Sequence, residues 1–334
     1  MNKPLIAVPA GDPAGIGPEI VVKAAAEGSA SQAANIVVIG NRSIMEQAVR
    51  ITGTNLKVHL INRPAEGIFE PKTLNLISMN NVDMGLFAFG KVSSMCGHAA
   101  YDYIAESIRL ALKGEVDAVA TTPINKESLH AAHVPFIGHT EIFGSLTHTK
   151  DPLTMFETKG LRIFFLTRHL SLREAIEQIR EEQIVSCAKS CFKALARLGI
   201  TEGEMAVAGL NPHCGEHGLF GNEEVNEIIP AVNRLKAEAF PVEGPVGADS
   251  VFHQAAEGRY NSVLALYHDQ GHIAAKTLDF DRTISITNGM PFLRTSVDHG
   301  TAFDIAGSGK AGSVSMTEAI LLAAKYAPFF NRNQ

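Results

Sequence analysis

The chain has 334 residues, 46% hydrophobic and 19% charged, with 29 Lys or Arg against 35 Asp or Glu and a net charge of −6. That length and composition allow one large or two smaller domains with a substantial core, and they exclude the cationic footprint of a nucleic-acid binder. No apolar run approaches the roughly 20 residues of a membrane span, no signal peptide is legible, and four cysteines without a CxxC spacing argue for a reduced, cytoplasmic protein.

Residues 5–9 read as a strand, followed by the loop Gly11-Asp12-Pro13-Ala14-Gly15-Ile16-Gly17-Pro18-Glu19 and a helix from Pro18 to about Glu27. The glycines permit close backbone approach and Pro18 suits a first helical turn. The loop is therefore either an anion cradle at a helix N-terminus or a tight turn packing the helix on its strand. It matches neither GxGxxG nor a Walker A pattern. Strands at 36–39 and 56–61 flank a helix near 44–51, and residues 63–90, with Pro64, Pro71 and several Asn, read as a small hairpin insertion. A helix at 99–113 runs into a strand at 118–121. Thr121-Thr122-Pro123-Ile124-Asn125-Lys126 then either caps the next helix or turns Lys126 toward a ligand. Gly138-His139-Thr140-Glu141 opens another apolar helix, where unpaired backbone N–H groups suit both capping by Thr140 and a phosphate or carboxylate site. Residues 153–166 read as two β segments around Lys159-Gly160, an antiparallel arm of the kind that makes dimer contacts. Helices at 183–198, 223–239 and 315–326 are linked to strands at 205–210, 262–267 and 283–287. This alternation predicts an α/β fold of largely parallel sheets flanked by helices. A domain boundary is expected near residue 128, with the last helix folded back on the first domain.

Three histidine stretches stand directly after apolar runs: Arg168-His169, Asn211-Pro212-His213 and Tyr267-His268-Asp269-Gln270-Gly271. Ligands of open α/β sheets bind at strand ends, and three imidazoles delivered this way suit one divalent metal with open coordination positions. His272, four residues after His268, is nominated as a further ligand or neighbour. Asp249 is either a carboxylate near the metal or a helix cap. Lys276 and Arg294 would suit an anionic substrate, or are ordinary surface charges. The stretch Asp298-His299-Gly300-Thr301-Ala302-Phe303-Asp304-Ile305-Ala306-Gly307 reads as a small-residue turn into a short helix, able to hold a nucleotide through its backbone or simply to turn the chain.

In order, and over nearly the whole chain, GDPAGIGPE, GHTE, the histidines in RH, NPHCGE and YHDQG, and PFLRTSVDHGTAFDIAG resemble the 4-hydroxythreonine-4-phosphate dehydrogenase family. The HGTA…DIAG loop also resembles the cofactor loop of isocitrate and isopropylmalate dehydrogenases. The resemblance implies their two-domain fold: 1–128 plus 300–334 as the first domain, 129–299 as the second with metal ligands and dimer contacts, and an active site in the interdomain cleft. It implies NAD, held by His299, Gly300, Thr301, Ala302 and Asp304, and a divalent cation (Zn, Co, Mg or Mn) held by His169, His213 and His268 in a site shared across a homodimer. It assigns substrate contacts to His139, Thr140, Lys276 and Arg294. Nine residues before the Arg the family usually carries Asn, where this chain has Ser285. Ser285 and the Gly247-Ala248-Asp249-Ser250 loop look more like a sister group acting on 4-phospho-D-threonate and 4-phospho-D-erythronate. The implied reaction is NAD- and metal-dependent oxidation at C3 with decarboxylation to dihydroxyacetone phosphate and CO2, with Asp249 and Lys276 as catalytic candidates. The alternatives are the 4-hydroxythreonine-4-phosphate dehydrogenase of pyridoxal phosphate biosynthesis and, in another class, a phosphate acyltransferase or a phospho-ligand sensor.

Overall fold

Aliphatic runs such as Asn35–Gly40 and Ser262–Ala265 are buried almost throughout, the burial that a parallel sheet covered on both faces imposes. The computed structural model describes residues 3–330, so the outermost residues of the expected first domain, 1–2 and 331–334, lie outside the described residues. In chain order its strands are β1 (Leu5–Pro9), β2 (Asn35–Gly40), β3 (Lys57–Ile61), β4 (Thr73–Ser78), β5 (Ala118–Thr121), β6 (Leu153–Thr158), β7 (Leu161–Phe165), β8 (Met205–Ala208), β9 (Val242–Val246), β10 (Ser262–Ala265), β11 (Ile284–Asn288) and β12 (Leu293–Val297). The chain divides into two compact units, Met1–Pro152 with Ile284–Gln334, and Leu153–Thr283.

In the first unit the strand order is β3-β4-β2-β1-β5-β12-β11. All neighbours are parallel except the β11–β12 pair. Helix Val314–Phe330 lies on β12 and β5, where the Thr295 hydroxyl donates to the Ala319 carbonyl at 2.8 Å. The last helix thus returns to the first unit. The boundary falls after residue 152 rather than near 128, because helices Lys126–Ala131 and His139–Leu146 both pack on helix Ser94–Leu112. Residues 284–299 also belong here rather than to the second unit, since β12 pairs with β5 from Leu293↔Ala118 to Ser296↔Thr121. The expected hairpin insertion at 63–90 contains β4, an interior parallel strand between β2 and β3. Its Asn75 is buried, and its amide is satisfied by the Ile68 N–H and carbonyl at 2.8 and 2.9 Å. A polar residue inside the strand hides it from an apolar-run reading.

In the second unit the order is β6-β7-β10-β8-β9, with β6 antiparallel to β7 and the rest parallel. The β6–β7 hairpin turns at Lys159-Gly160 as expected, yet β7 is an interior strand paired with β10, so the hairpin is part of the sheet and not a projecting arm. Ile163, Phe165, Ala206, Val263 and Tyr260 form the core on one face.

Candidate functional site

β7, β10 and β8 are adjacent and parallel. Their carboxyl ends therefore lie side by side, about 4.8 Å apart per step, and His169, His268 and His213 follow them in turn. Two polar ties hold these ends together. The Thr167 hydroxyl donates to the Leu266 carbonyl at 2.8 Å, joining the segments after β7 and β10. Gln270 accepts the Leu266 N–H at 2.7 Å and donates to the Gly209 carbonyl at 2.8 Å, joining the segments after β10 and β8. Nothing in the apolar pattern marks Gln270. Its signal is positional, the third residue of helix His268–Leu278, where a Gln reaches back to backbone N–H groups.

The rings of His169 and His268 lie 6.0 Å apart between centroids, at a cavity of about 260 Å³ also lined by Arg168, Tyr267 and Asp269. His268 Nδ1 is 2.7 Å from Asp269 Oδ1, a carboxylate–imidazole pair that leaves Nε2 as the ring's other nitrogen. His272 stacks on His268 at 3.6 Å, engages the His268 carbonyl through Nδ1 at 2.9 Å, and sits against Phe156 and Phe165. It packs beside His268, the neighbouring position of the two nominated for it.

His213 lies in a turn, Pro212–Gly218, where His213, Cys214, Gly215, Glu216 and His217 are all left-handed, with φ of 52, 56, 76, 44 and 57°. The left-handed state costs an L-residue roughly 1–2 kcal/mol, and only Gly215 escapes it. Such strain persists only where the surroundings impose it, and it collects at functional sites. Asp249 is exposed, but its charge reaches Cys214: burial raises the Cys214 thiol, and the Glu224 and Asp249 carboxylates raise it further. Asp249 is thus near the His213 turn, and it does not cap helix Val251–Ala256, whose N-cap is Ser250. Among the described residues, no three His, Cys, Asp or Glu groups gather in metal-binding geometry. One chain brings His169 and His268 together and does not by itself assemble the expected three-histidine centre. Lys276 is half-buried on the same helix as His268, its ammonium 5.3 Å from the centre of the Phe280 ring.

A second polar centre lies within the first unit. Arg294 is 4% exposed on β12, its guanidinium donating to Thr121 Oγ1 at 3.0 and 3.2 Å and to Thr287 Oγ1 at 3.0 Å, and lying 4.8 Å from the Phe143 ring. No carboxylate pairs with it among the described residues. Burial pushes its pKa down to about 9, so it is still a cation at neutral pH. Next to it, burial and then the Arg294 charge hold His139 well below its ordinary pKa, so the imidazole is neutral, and its buried Nε2 has no hydrogen-bond partner among the described residues. Thr140 is exposed at the start of the same helix, whose N-cap Gly138 makes no side-chain cap bond, so the capping reading of Thr140 does not hold. Ser285 pairs with Ser296 across β11–β12, two residues from Thr287, placing it on the sheet face that carries Arg294 and Thr287. His139, Ser285 and Arg294 thus belong to the first unit, while Lys276 belongs to the second.

The two glycine-containing loops meet each other. In the first, Ala14 N–H donates to Asp12 Oδ1, Gly15 N–H to the Asp12 carbonyl and Ile16 N–H to the Thr301 carbonyl. Its Asp12, Ala14, Gly15 and Ile16 N–H groups are spent on Pro123, Asp12 and Thr301, and its residues are buried, so it is a tight turn and not an anion cradle. A Cβ on Gly15 would come within 2.9 Å of Thr301 Cβ, which is why this position is glycine. Glu19 Oε1 accepts the Gly307 N–H at 2.6 Å. The 299–304 stretch is irregular and runs into a turn from Phe303, without the expected short helix; Thr301 is buried, Gly300 and Asp304 are exposed, His299 Nδ1 is 3.0 Å from the Gly300 carbonyl, and Ala302 is left-handed at φ 41°.

The molecule is an enzyme of largely parallel α/β units, with imidazoles at strand ends and, among the described residues, a buried guanidinium without an acid partner. The chain belongs to the family described as pyridoxal phosphate biosynthetic protein PdxA, whose profile matches residues 32–323, and it is a dehydrogenase of that family. It is 58% identical to the "Putative D-threonate 4-phosphate dehydrogenase" of Fusobacterium nucleatum, over 97% of this chain and 98% of the relative. It is 56% identical to the protein of that name from Clostridium botulinum, over 99% of each. Among solved structures it is similar to the 4-hydroxythreonine-4-phosphate dehydrogenase of Klebsiella pneumoniae, at 43% identity, TM-score 0.89, with 97% and 98% of the two chains covered. Among the described residues, no helix is long and apolar enough to cross a membrane.

Proposed function

We propose that this protein is an NAD-dependent, divalent-metal-dependent dehydrogenase that oxidises 4-phospho-D-threonate, and its erythronate epimer, at C3, with loss of CO2 to leave dihydroxyacetone phosphate. The observation that carries the reading is Arg294, a buried cation without an acid partner among the described residues, whose spare donors suit a phosphate or carboxylate. His139, held neutral, donates to or accepts from the same group without adding charge. Thr140 and Ser285 supply hydroxyls, and Ser285, where the family usually has Asn, favours a substrate with a C2 hydroxyl over one with an amine. The names of the Fusobacterium and Clostridium relatives support the same substrate class.

The donor set fits a divalent cation: two imidazoles with centroids 6.0 Å apart, one oriented by a carboxylate, and a third at the next strand end. His169, His213 and His268 would hold it, the set completed between two copies of the chain in a homodimer. When bound, the metal acts as a Lewis acid that acidifies the C3 hydroxyl. His299, Gly300, Thr301, Ala302 and Asp304 would hold NAD, which would supply the hydride acceptor. Lys276 would supply an ammonium for charge that develops on oxygen, and Asp249 is the candidate proton acceptor.

The test follows NADH formation with 4-phospho-D-threonate, 4-phospho-D-erythronate and 4-hydroxythreonine phosphate in parallel. The phospho-hydroxyacids should exceed the amino substrate by about ten-fold or more in kcat/KM. The opposite order assigns the protein to the pyridoxal phosphate reaction, and no NADH with any of them overturns the dehydrogenation proposed here.

A further inference from the structure

We infer that Glu224 is a positioning residue for the metal centre, a buried carboxylate that clamps the left-handed turn carrying His213. The inference rests on the reading of His213 as a metal ligand. Glu224 is fully buried at the start of the π-helical turn Glu224–Ile228; such turns are rare and recur at functional sites. Its Oε1 accepts the backbone N–H groups of Leu210 at 2.8 Å and Asn211 at 2.6 Å, and its Oε2 accepts the Asn211 side-chain amide at 2.8 Å. All three donors belong to the two residues that precede Pro212-His213. No Lys or Arg pairs with Glu224 among the described residues, so these N–H groups hold its charge. Glu223 takes the Asn211 amide as well, at 2.7 Å, fixing that side chain from a second direction.

The turn then folds back over the clamp. A Cβ on Gly215 would lie 2.9 Å from Glu224 Oε2, so the carboxylate touches the chain on both sides of His213. With Leu210 and Asn211 anchored before it and Gly215 seated after it, His213 and Cys214 have no room to leave the left-handed state. A neutral amide at 224 keeps a single acceptor oxygen for three donors: its NH2 would face either the Asn211 side-chain amide or, flipped, the Leu210 and Asn211 N–H groups, and the turn would relax with His213 moving with it. Groups that orient a metal ligand in this way change affinity 10- to 100-fold when they are replaced.

The experiment titrates Co2+ into the chelator-stripped full-length protein, following d–d absorption, with thermal melting as the fold check and amide hydrogen exchange at Leu210 and Asn211. The proteins are wild type, His213→Ala, Glu224→Gln, Glu224→Asp and Gly215→Ala. His213→Ala should weaken Co2+ binding. Glu224→Gln should weaken it by about 10- to 100-fold, shift the d–d bands and speed exchange at both amides while still melting cooperatively. Glu224→Asp, which keeps the charge, should recover part of the affinity. Wild-type affinity and spectrum in a folded Glu224→Gln protein, with His213→Ala impaired, would overturn the clamp and leave the metal reading intact. Unchanged binding by His213→Ala would overturn both. If Glu224→Gln does not fold, Gly215→Ala decides, since its methyl must displace Oε2; wild-type affinity there also overturns the clamp.

Discussion

Gln270 ties the strand end that leads to His268 to the strand end that leads to His213, through its 2.8 Å bond to the Gly209 carbonyl. Its other end takes the Leu266 N–H, so one side chain sets the spacing between two proposed ligands. Gln270→Leu keeps the volume and strands both backbone groups. A buried donor or acceptor without a partner costs about 1–3 kcal/mol, so the urea midpoint should fall at constant slope. Co2+ binding should weaken in step. A variant with an unchanged midpoint would show that the tie does not carry the strand ends.

Arg294 should behave in the opposite way. Among the described residues it is a buried cation without a carboxylate, and replacing such a charge with an apolar side chain is often neutral or stabilising. Arg294→Met should therefore keep or raise the unfolding free energy, while KM for the phosphorylated substrate rises by about ten-fold or more, the loss of one strong charge-assisted contact. Arg294→Lys should not restore KM, since a point charge lacks the fork that reaches Thr121 and Thr287. A large stability loss in Arg294→Met with KM unaltered would make the residue a structural strut.

Asp12 makes stability depend on pH. Burial raises its pKa to about 6, against the pull of the Ala14 N–H and the Ser128 hydroxyl. An acid whose folded pKa exceeds its unfolded one binds its proton more tightly in the folded state. Its stabilising contribution is thus complete below about pH 4 and is lost as pH rises through 6. Two units correspond to roughly 3 kcal/mol. Asp12→Asn should flatten that decline and unfold later than wild type at pH 7.5 in urea. Parallel stability–pH curves for the two proteins would count against it.

Ser285 is the residue on which substrate choice turns. Ser285→Asn should shift the kcat/KM ratio toward 4-hydroxythreonine phosphate, because a longer amide replaces the hydroxyl. An unchanged ratio removes Ser285 from the specificity argument.

By itself the amino-acid sequence determined what is local: the alternation of apolar strands and amphipathic helices, the hairpin at Lys159-Gly160, the Asn125 cap on the helix Lys126–Ala131, and the histidines just past three strand ends. Each is written in a period or a punctuation that spans only a few residues. Tertiary structure alone decided where the units divide, that Thr73–Ser78 is an interior strand, and that the first glycine loop's N–H groups are taken by Asp12, Pro123 and Thr301. It also decided that Arg294, indistinguishable in the sequence from a surface charge, is buried against Thr121, 173 residues away. The His213 turn is left-handed although neither His nor Cys prefers that state, and Glu224 binds the backbone just before it. These outcomes depend on which distant groups come to satisfy a buried donor or charge, and a pattern read along the chain carries no record of the partner.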